Sequence, residues 1–287
     1  METSELLKKV RNIEIKTRGI SNNIFAGQYH SAFKGRGMVF SEVREYQYGD
    51  SIRDIDWNVT ARFNKPFIKV FEEERELTVM LLIDISGSRN FGTSQRFKRD
   101  LITEVAAVIS FSAIQNNDKI GVLMFTDRVE MFIPPQKGRK HILRIIRELI
   151  EFKPVGTRTN IPFALKHFTN MIKKRCTAFL ISDFIDTDLY DSLSIANKKH
   201  DIIALHVFDR RDYEIPSLGM TRVRDSETGD EIWVDTSSKK TREYFSKKSK
   251  ENLLKLDETF IKCGVDVAKL PTDGDFIVPL MKLFKRR

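Results

Sequence analysis

The run Thr78-Val-Met-Leu-Leu-Ile-Asp84 constrains this chain more than any other stretch, because it is apolar without a break and then stops at a carboxylate. A half-exposed strand would alternate. An unbroken run reads instead as a strand buried on both faces, as in the middle of a parallel sheet. Its polar ending, Asp84-Ile-Ser-Gly-Ser88, then falls at the C-terminal edge of the sheet, where open α/β sheets place their ligands. A carboxylate and two hydroxyls from one tight turn are hard oxygen donors, suited to Mg2+ or Mn2+ and poorly to zinc or copper. Taken alone, the same triplet can equally cap the helix that follows.

From residue 76 onward, strand and helix patterns alternate. A helix is expected over Ser94 to Gln115, where Leu101, Val105, Val108 and Ile109 recur at helical spacing. Two strands joined at Asp127 follow (Lys119 to Thr126, Arg128 to Ile133), then helices over His141 to Phe152 and Asn160 to Lys173. A buried strand, Cys176 to Ser182, leads to a short helix around Leu189 to Asn197 and a strand, Ile202 to Phe208. This order predicts a three-layer, Rossmann-like α/β domain with a mainly parallel sheet over 76–287. Met220 to Val223 and Glu231 to Asp235 flank a turn and read as a β-hairpin decorating the sheet edge. A long helix, Thr241 to Lys262, ends at Gly264, and a late strand, Val265 to Leu270, precedes a terminal helix. Residues 1–75 differ in character: a short amphipathic helix (Leu6, Leu7, Val10, Ile13) precedes a stretch dense in Gly, aromatic and charged residues, read as a small N-terminal lobe.

Composition narrows the function classes. The 287 residues carry 49 Lys plus Arg against 40 Asp plus Glu, a net charge of +9, a bias that an ordinary solvated surface accommodates. Cys176 and Cys263 have no zinc-type spacing and read as free thiols in a reducing compartment. The N-terminus is acidic where a signal peptide is basic, and no run approaches the roughly 18 apolar residues of a membrane span, so a cytoplasmic location is expected. The C-terminal stretch from Phe276 to Arg287 reads as a helix packed on the core, with peripheral membrane contact as the other reading.

Two further segments extend the first. Gly156-Thr-Arg-Thr-Asn-Ile-Pro-Phe-Ala-Leu165 sets Thr159 just before a helix, and Phe179-Leu-Ile-Ser-Asp183 repeats an apolar run ending in a carboxylate. Three loops can thus bring Asp84, Ser86, Ser88, Thr159 and Asp183 to one edge. This set resembles the metal-ion-dependent adhesion site of the von Willebrand factor A fold. The resemblance implies Ser86, Ser88 and Thr159 as hydroxyl ligands, and Asp84 and Asp183 as ligands directly or through water. Thr157 competes with Thr159 for its role, while Ser182 and Asp186 are expected to support or cap rather than ligate.

The N-terminal lobe adds a second resemblance. Gly37-Met-Val-Phe-Ser-Glu-Val-Arg-Glu-Tyr-Gln-Tyr-Gly-Asp50, Arg53-Asp-Ile-Asp-Trp57, Ala61-Arg62 and Val70-Phe-Glu-Glu-Glu74, with Leu270-Pro-Thr-Asp273 near the end, resemble domain-of-unknown-function family 58. Members of that family are associated with MoxR-type AAA+ ATPases and other von Willebrand A proteins. The resemblance therefore implies a metal-dependent interaction module, not an enzyme, whose Mg2+ (or Mn2+) accepts an Asp or Glu from a protein partner. Within the lobe, Arg44, Asp50, Arg53, Asp54, Asp56 and Arg62 can form an ion-pair web, with Trp57 and Tyr46 as apolar anchors.

Two other functions compete. A metal-assisted hydrolase needs a base or nucleophile beside the ion, yet His30, His141, His167, His200 and His206 form no catalytic spacing, and no phosphate-binding glycine loop occurs. Nucleic-acid binding through Lys137, Arg139, Lys140, Arg144 and Arg147 lacks aromatic interleaving for base stacking.

Overall fold

Six strands of the computed structural model form one sheet, and Thr78–Asp84 lies inside it. Residues 10–14, 17, 38–63, 65–73, 77–92, 96–185, 188–225 and 227–287 are described. In chain order the sheet strands are β3 (Thr78–Asp84), β4 (Lys119–Phe125), β5 (Val129–Gln136), β6 (Thr177–Ser182), β7 (Asp201–Phe208) and β10 (Asp266–Pro271). They stand in the order β10-β7-β6-β3-β4-β5. All neighbours are parallel except β5, which returns antiparallel to β4. The β5 strand runs on to Gln136, past its expected end at Ile133, and includes Pro134 and Pro135. Its edge position leaves room for those missing donors.

Because the chain leaves β3 for β4 on one side and later enters β6 on the other, the gap between the C-terminal ends of β3 and β6 is the topological switch point. Asp84 ends β3, and Asp183 directly follows β6. The α/β fold expected from the sequence is therefore present, and it places the two carboxylates on adjacent strands.

The helices are α2 (Lys98–Gln115), α3 (Arg139–Glu151), α4 (Ile161–Met171), α5 (Tyr190–Lys199), α6 (Lys239–Cys263) and α7 (Ile277–Arg286). Strand parity separates two cores. Met80, Leu82, Ala178, Leu180 and Ala204 pack with Ile161, Leu165 and Phe168 of α4, Leu193 of α5 and Phe260 of α6. Phe179, of opposite parity, meets Phe284 of α7 edge-on at 6.3 Å. The terminal helix thus packs on the core, with Leu280, Leu283 and Phe284 buried. The α2 helix is buried almost all round, and Ser110 and Ser112 satisfy their hydroxyls on the carbonyls of Ala106 and Val108. Its expected start at Ser94 lies outside the described residues; the helix begins at Lys98.

The β8 (Met220–Arg224) and β9 (Glu231–Asp235) strands form the expected antiparallel hairpin as a separate two-stranded sheet. The α6 helix has Ser238 as N-cap, its side chain accepting from the Thr241 N–H, and ends at Gly264 with φ +64°, the left-handed conformation glycine adopts without a Cβ penalty. Among the described residues, no helix is long and apolar enough to cross a membrane.

Residues 33–76 make a second compact unit, whereas 1–32 group with 77–287. Of the expected N-terminal helix, Val10 and Ile13 are described as helical, and Leu6 and Leu7 lie outside the described residues. Within the second unit, β1 (Met38–Glu45) pairs antiparallel with β2 (Phe67–Glu73) through a bulge at Phe40 and Glu42, around α1 (Trp57–Phe63). Among the described residues, part of the expected ion pairing is present. Arg44 grips Asp50 with two 2.8 Å hydrogen bonds, and Asp56 pairs with Lys69 while accepting the Asn58 and Val59 N–H groups at the start of α1. Trp57 is 68% exposed rather than an anchor.

Candidate metal and partner-binding site

Asp84 is buried, and both its oxygens are held. Oδ1 accepts the Ser86 N–H at 2.9 Å, closing a local turn, and Oδ2 accepts the Ser182 hydroxyl at 2.7 Å from the neighbouring strand. Burial, reinforced by the charge of Asp183, pushes the Asp84 carboxyl up to about 6. Ser86 stands at the N-cap position of the short 3-10 turn Gly87–Asn90 but makes no side-chain capping bond there, and neither Ser86 nor Ser88 caps α2, which begins at Lys98. Their hydroxyls face each other at 3.0 Å, both buried.

The other carboxylate has a partner that the pattern of the chain did not reveal. Lys98, at the start of α2, is 1% exposed, and its ammonium lies 3.0 Å from Asp183 Oδ2 and 2.9 Å from Asp212 Oδ2. Burial alone would lower the lysine pKa. The carboxylates of Asp183 and Asp212 outweigh it, and the pKa rises. Asp212 is oriented in turn by the Asp209 N–H at 2.8 Å, in a short helical turn after β7. A buried lysine is rare unless it is paired, and 85 residues separate Lys98 from Asp183, so no local signal marks it.

Asp84, Ser88, Arg89, Lys98, Ser182 and Asp183 line a cavity of about 10 Å3, enough for a single small occupant. Ser182 donates to Asp84 and accepts the Phe184 N–H at 3.1 Å. Asp186 lies outside the described residues.

Thr159 comes from a third loop and is not among the residues lining that cavity. The loop is nevertheless tied to the edge: Gly87 N–H donates to the Thr157 carbonyl at 2.9 Å, and Asn160 N–H donates to the Thr126 carbonyl at 3.1 Å. Gly156 permits the approach, because a Cβ there would overlap the side chains of Thr126 and Asp127. Asn160 caps α4 by accepting the Phe163 N–H, which leaves the Thr159 hydroxyl free of capping. That hydroxyl donates to Glu227 Oε1 at 2.6 Å, from the β8–β9 turn.

The donor chemistry fits a hard divalent ion. The Ser86–Ser88 spacing of 3.0 Å is that of adjacent ligands around an octahedral ion with bonds of about 2.1 Å. Burial first, and the charge of Asp183 second, disfavour the ionised Asp84 carboxylate, and a nearby cation would act in the opposite direction. Among the described residues no group of three or more His, Cys, Asp or Glu is disposed to hold a metal, so an ion here would draw on hydroxyl oxygens.

The described histidines have structural partners. His141 Nε2 meets the Ile120 carbonyl, His200 meets Cys176, His206 meets Tyr213, and the His167 ring lies tilted against Phe163. In the basic helix α3, Arg139 pairs with Glu14 and Arg147 with Glu148.

Uncharacterized proteins of Mycobacterium tuberculosis and Mycobacterium bovis are 27% identical over 292 residues, covering 100% of this chain and 91% of theirs. The uncharacterized protein YeaD of Bacillus subtilis is 30% identical over 134 residues, 46% of this chain and 29% of that protein. Among solved structures, BatB from Bacteroides thetaiotaomicron aligns over 73% of this chain and 98% of its own, at 14% identity and a TM-score of 0.46. The SpRpn10 VWA domain aligns over 74% and 95%, at 13% identity and a TM-score of 0.36. Residues 42–254 match the family described as "Protein of unknown function DUF58", and the chain belongs to that family.

Proposed function

We propose that this protein is an interaction module whose switch-point site holds Mg2+ or Mn2+ and through it binds an Asp or Glu of a protein partner. The supporting observation is the pairing of two carboxylates on adjacent strand ends with two buried hydroxyls 3.0 Å apart. Ser86, Ser88 and Thr159 would hold the ion by their hydroxyls, and Asp84 and Asp183 by their carboxylates, directly or through water. When bound, the ion supplies a positive charge and an open coordination position for a partner carboxylate.

The protein's own groups prepare that position. Ser182 and the Ser86 N–H fix the Asp84 carboxylate, so its orientation is set before any ligand arrives. Lys98 neutralises part of the charge of Asp183 and Asp212, which limits the repulsion among buried carboxylates. In keeping with the family resemblance, a MoxR-like AAA+ ATPase or another von Willebrand A protein in the cytoplasm is the partner class proposed.

Manganese titration followed by electron paramagnetic resonance tests the ion. Wild type is expected to bind Mn2+, with binding lost in an Asp84→Ala, Asp183→Ala double variant and weakened at least tenfold in Ser86→Ala, Ser88→Ala. Circular dichroism confirms that each variant is folded. Equal binding by all three proteins would overturn the reading. Partner recovery from lysate with Mg2+ and with chelator then tests the interaction, since partners retained equally would place binding elsewhere.

A further inference from the structure

An acidic group of the chain itself engages Thr159, the third-loop residue expected to contribute to the site. Glu227 sits in the β8–β9 turn, and its side-chain Oε1 accepts the Thr159 hydroxyl at 2.6 Å. Its backbone carbonyl accepts the Thr157 hydroxyl at 2.8 Å, so the turn grips the 157–159 loop at two points. The turn is built to present this residue. Asp225 Oδ1 accepts the N–H groups of Glu227 and Thr228 at 2.8 and 3.2 Å, and the Asp225 N–H donates to the Asp230 carbonyl. Gly229, at φ +79°, completes the reversal.

The remainder of the hairpin gives no reason for that grip. Met220, Ile232 and Trp233 are exposed, and the hairpin pairs with no strand of the main sheet. The hairpin is a two-stranded sheet of its own, so the contact of its turn with the 157–159 loop involves no backbone pairing of the six-stranded sheet. The carboxylate is thus carried on an element outside the main sheet and meets the hydroxyl expected to ligate the ion.

Resting on the cation reading above, we propose that Glu227 is the site's internal acidic ligand. It takes the place beside Thr159 that a partner's carboxylate needs, and the partner binds by displacing it. Thr159 then exchanges one carboxylate for another, and the hairpin is released as binding proceeds.

Mn2+ and N-acetylglutamate α-amide, which carries a single carboxylate, serve as probes on the full chain. In Glu227→Ala, the exchangeable water on bound Mn2+, read by water-proton relaxation, is expected to rise, and the probe's affinity to increase about tenfold, the scale of one charge-assisted hydrogen bond. Glu227→Gln keeps an acceptor for Thr159 but removes the charge, and it is expected to raise probe affinity as well. Unchanged hydration and probe affinity in both variants, with Mn2+ still bound by wild type and lost in Asp84→Ala, Asp183→Ala, would overturn the role of Glu227 and leave the cation site standing. Absence of Mn2+ binding in wild type and in Glu227→Ala alike would overturn the cation reading, and the internal ligand with it.

Discussion

The C-terminal edge of the main sheet and the β8–β9 hairpin treat charge and apolar surface in opposite ways. At the edge, Asp84, Lys98 and Asp183 are all buried, and each is tied to a partner of opposite charge or to a hydrogen-bond donor. On the hairpin, Met220, Ile232 and Trp233 face solvent, Trp233 at 69%, while the turn makes its contacts through Glu227. Charge taken out of water must be paired where it lies, whereas a surface hairpin can leave apolar residues wet and keep a carboxylate for use elsewhere. The edge is therefore where substitutions should cost stability, and the hairpin where they should change binding.

The largest expected effect is at Lys98. Replacing it by Met strands Asp183 and Asp212 without their counter-charge, and a loss of about 3–5 kcal/mol is expected in urea unfolding in chelator, with part of it restored by added Mg2+. A loss below about 1 kcal/mol would mean that the buried edge tolerates unpaired charge, and the contrast with the hairpin would collapse.

A smaller effect follows from pH. Burial pushes both His200 and His206 down to about 4, below the unfolded value of about 6.5. Between these values the unfolded chain binds more protons than the folded one, so stability rises with pH. This contribution is fully present above about 6.5 and is lost as pH falls toward 4, by roughly 3 kcal/mol for His206 at the limit. Urea midpoints for wild type and His206→Leu at pH 7 and pH 5 check this, since the variant should show the shallower fall. Parallel curves would show that His206 does not report on burial.

The smallest effect belongs to the exposed hairpin. Trp233→Ser and Ile232→Ser are expected to change stability by no more than about 0.5 kcal/mol. Thermal melts showing a loss of 2 kcal/mol or more would mean that the hairpin belongs to the core, and that the contact of Glu227 is structural rather than displaceable.

How much of this was readable beforehand differs by kind of residue. The apolar runs ending at Asp84 and Asp183 announce buried parallel strands, and β3 and β6 are adjacent. The hairpin was visible in its flanking runs, and the terminal helix in its apolar spacing. Trp57 misled because a large apolar side chain amid charges reads as an anchor, yet apolar residues are often exposed, and only their neighbours decide. Lys98 and Glu227 were missed for a related reason. Each looks like an ordinary surface charge in its own segment, and their partners lie 85 and 68 residues away.

Residue pattern fixes the secondary elements, the strand grammar and the candidate oxygen donors, because these depend on local periodicity and on side-chain chemistry carried along the chain. Folding alone decides that Ser182 and the Ser86 N–H hold Asp84, that Lys98 rather than solvent meets Asp183, and that Glu227 reaches Thr159. Those pairings arise from the order in which the strands lie in the sheet and from where a hairpin turn lands, and the cost of leaving buried charges unmatched makes them specific.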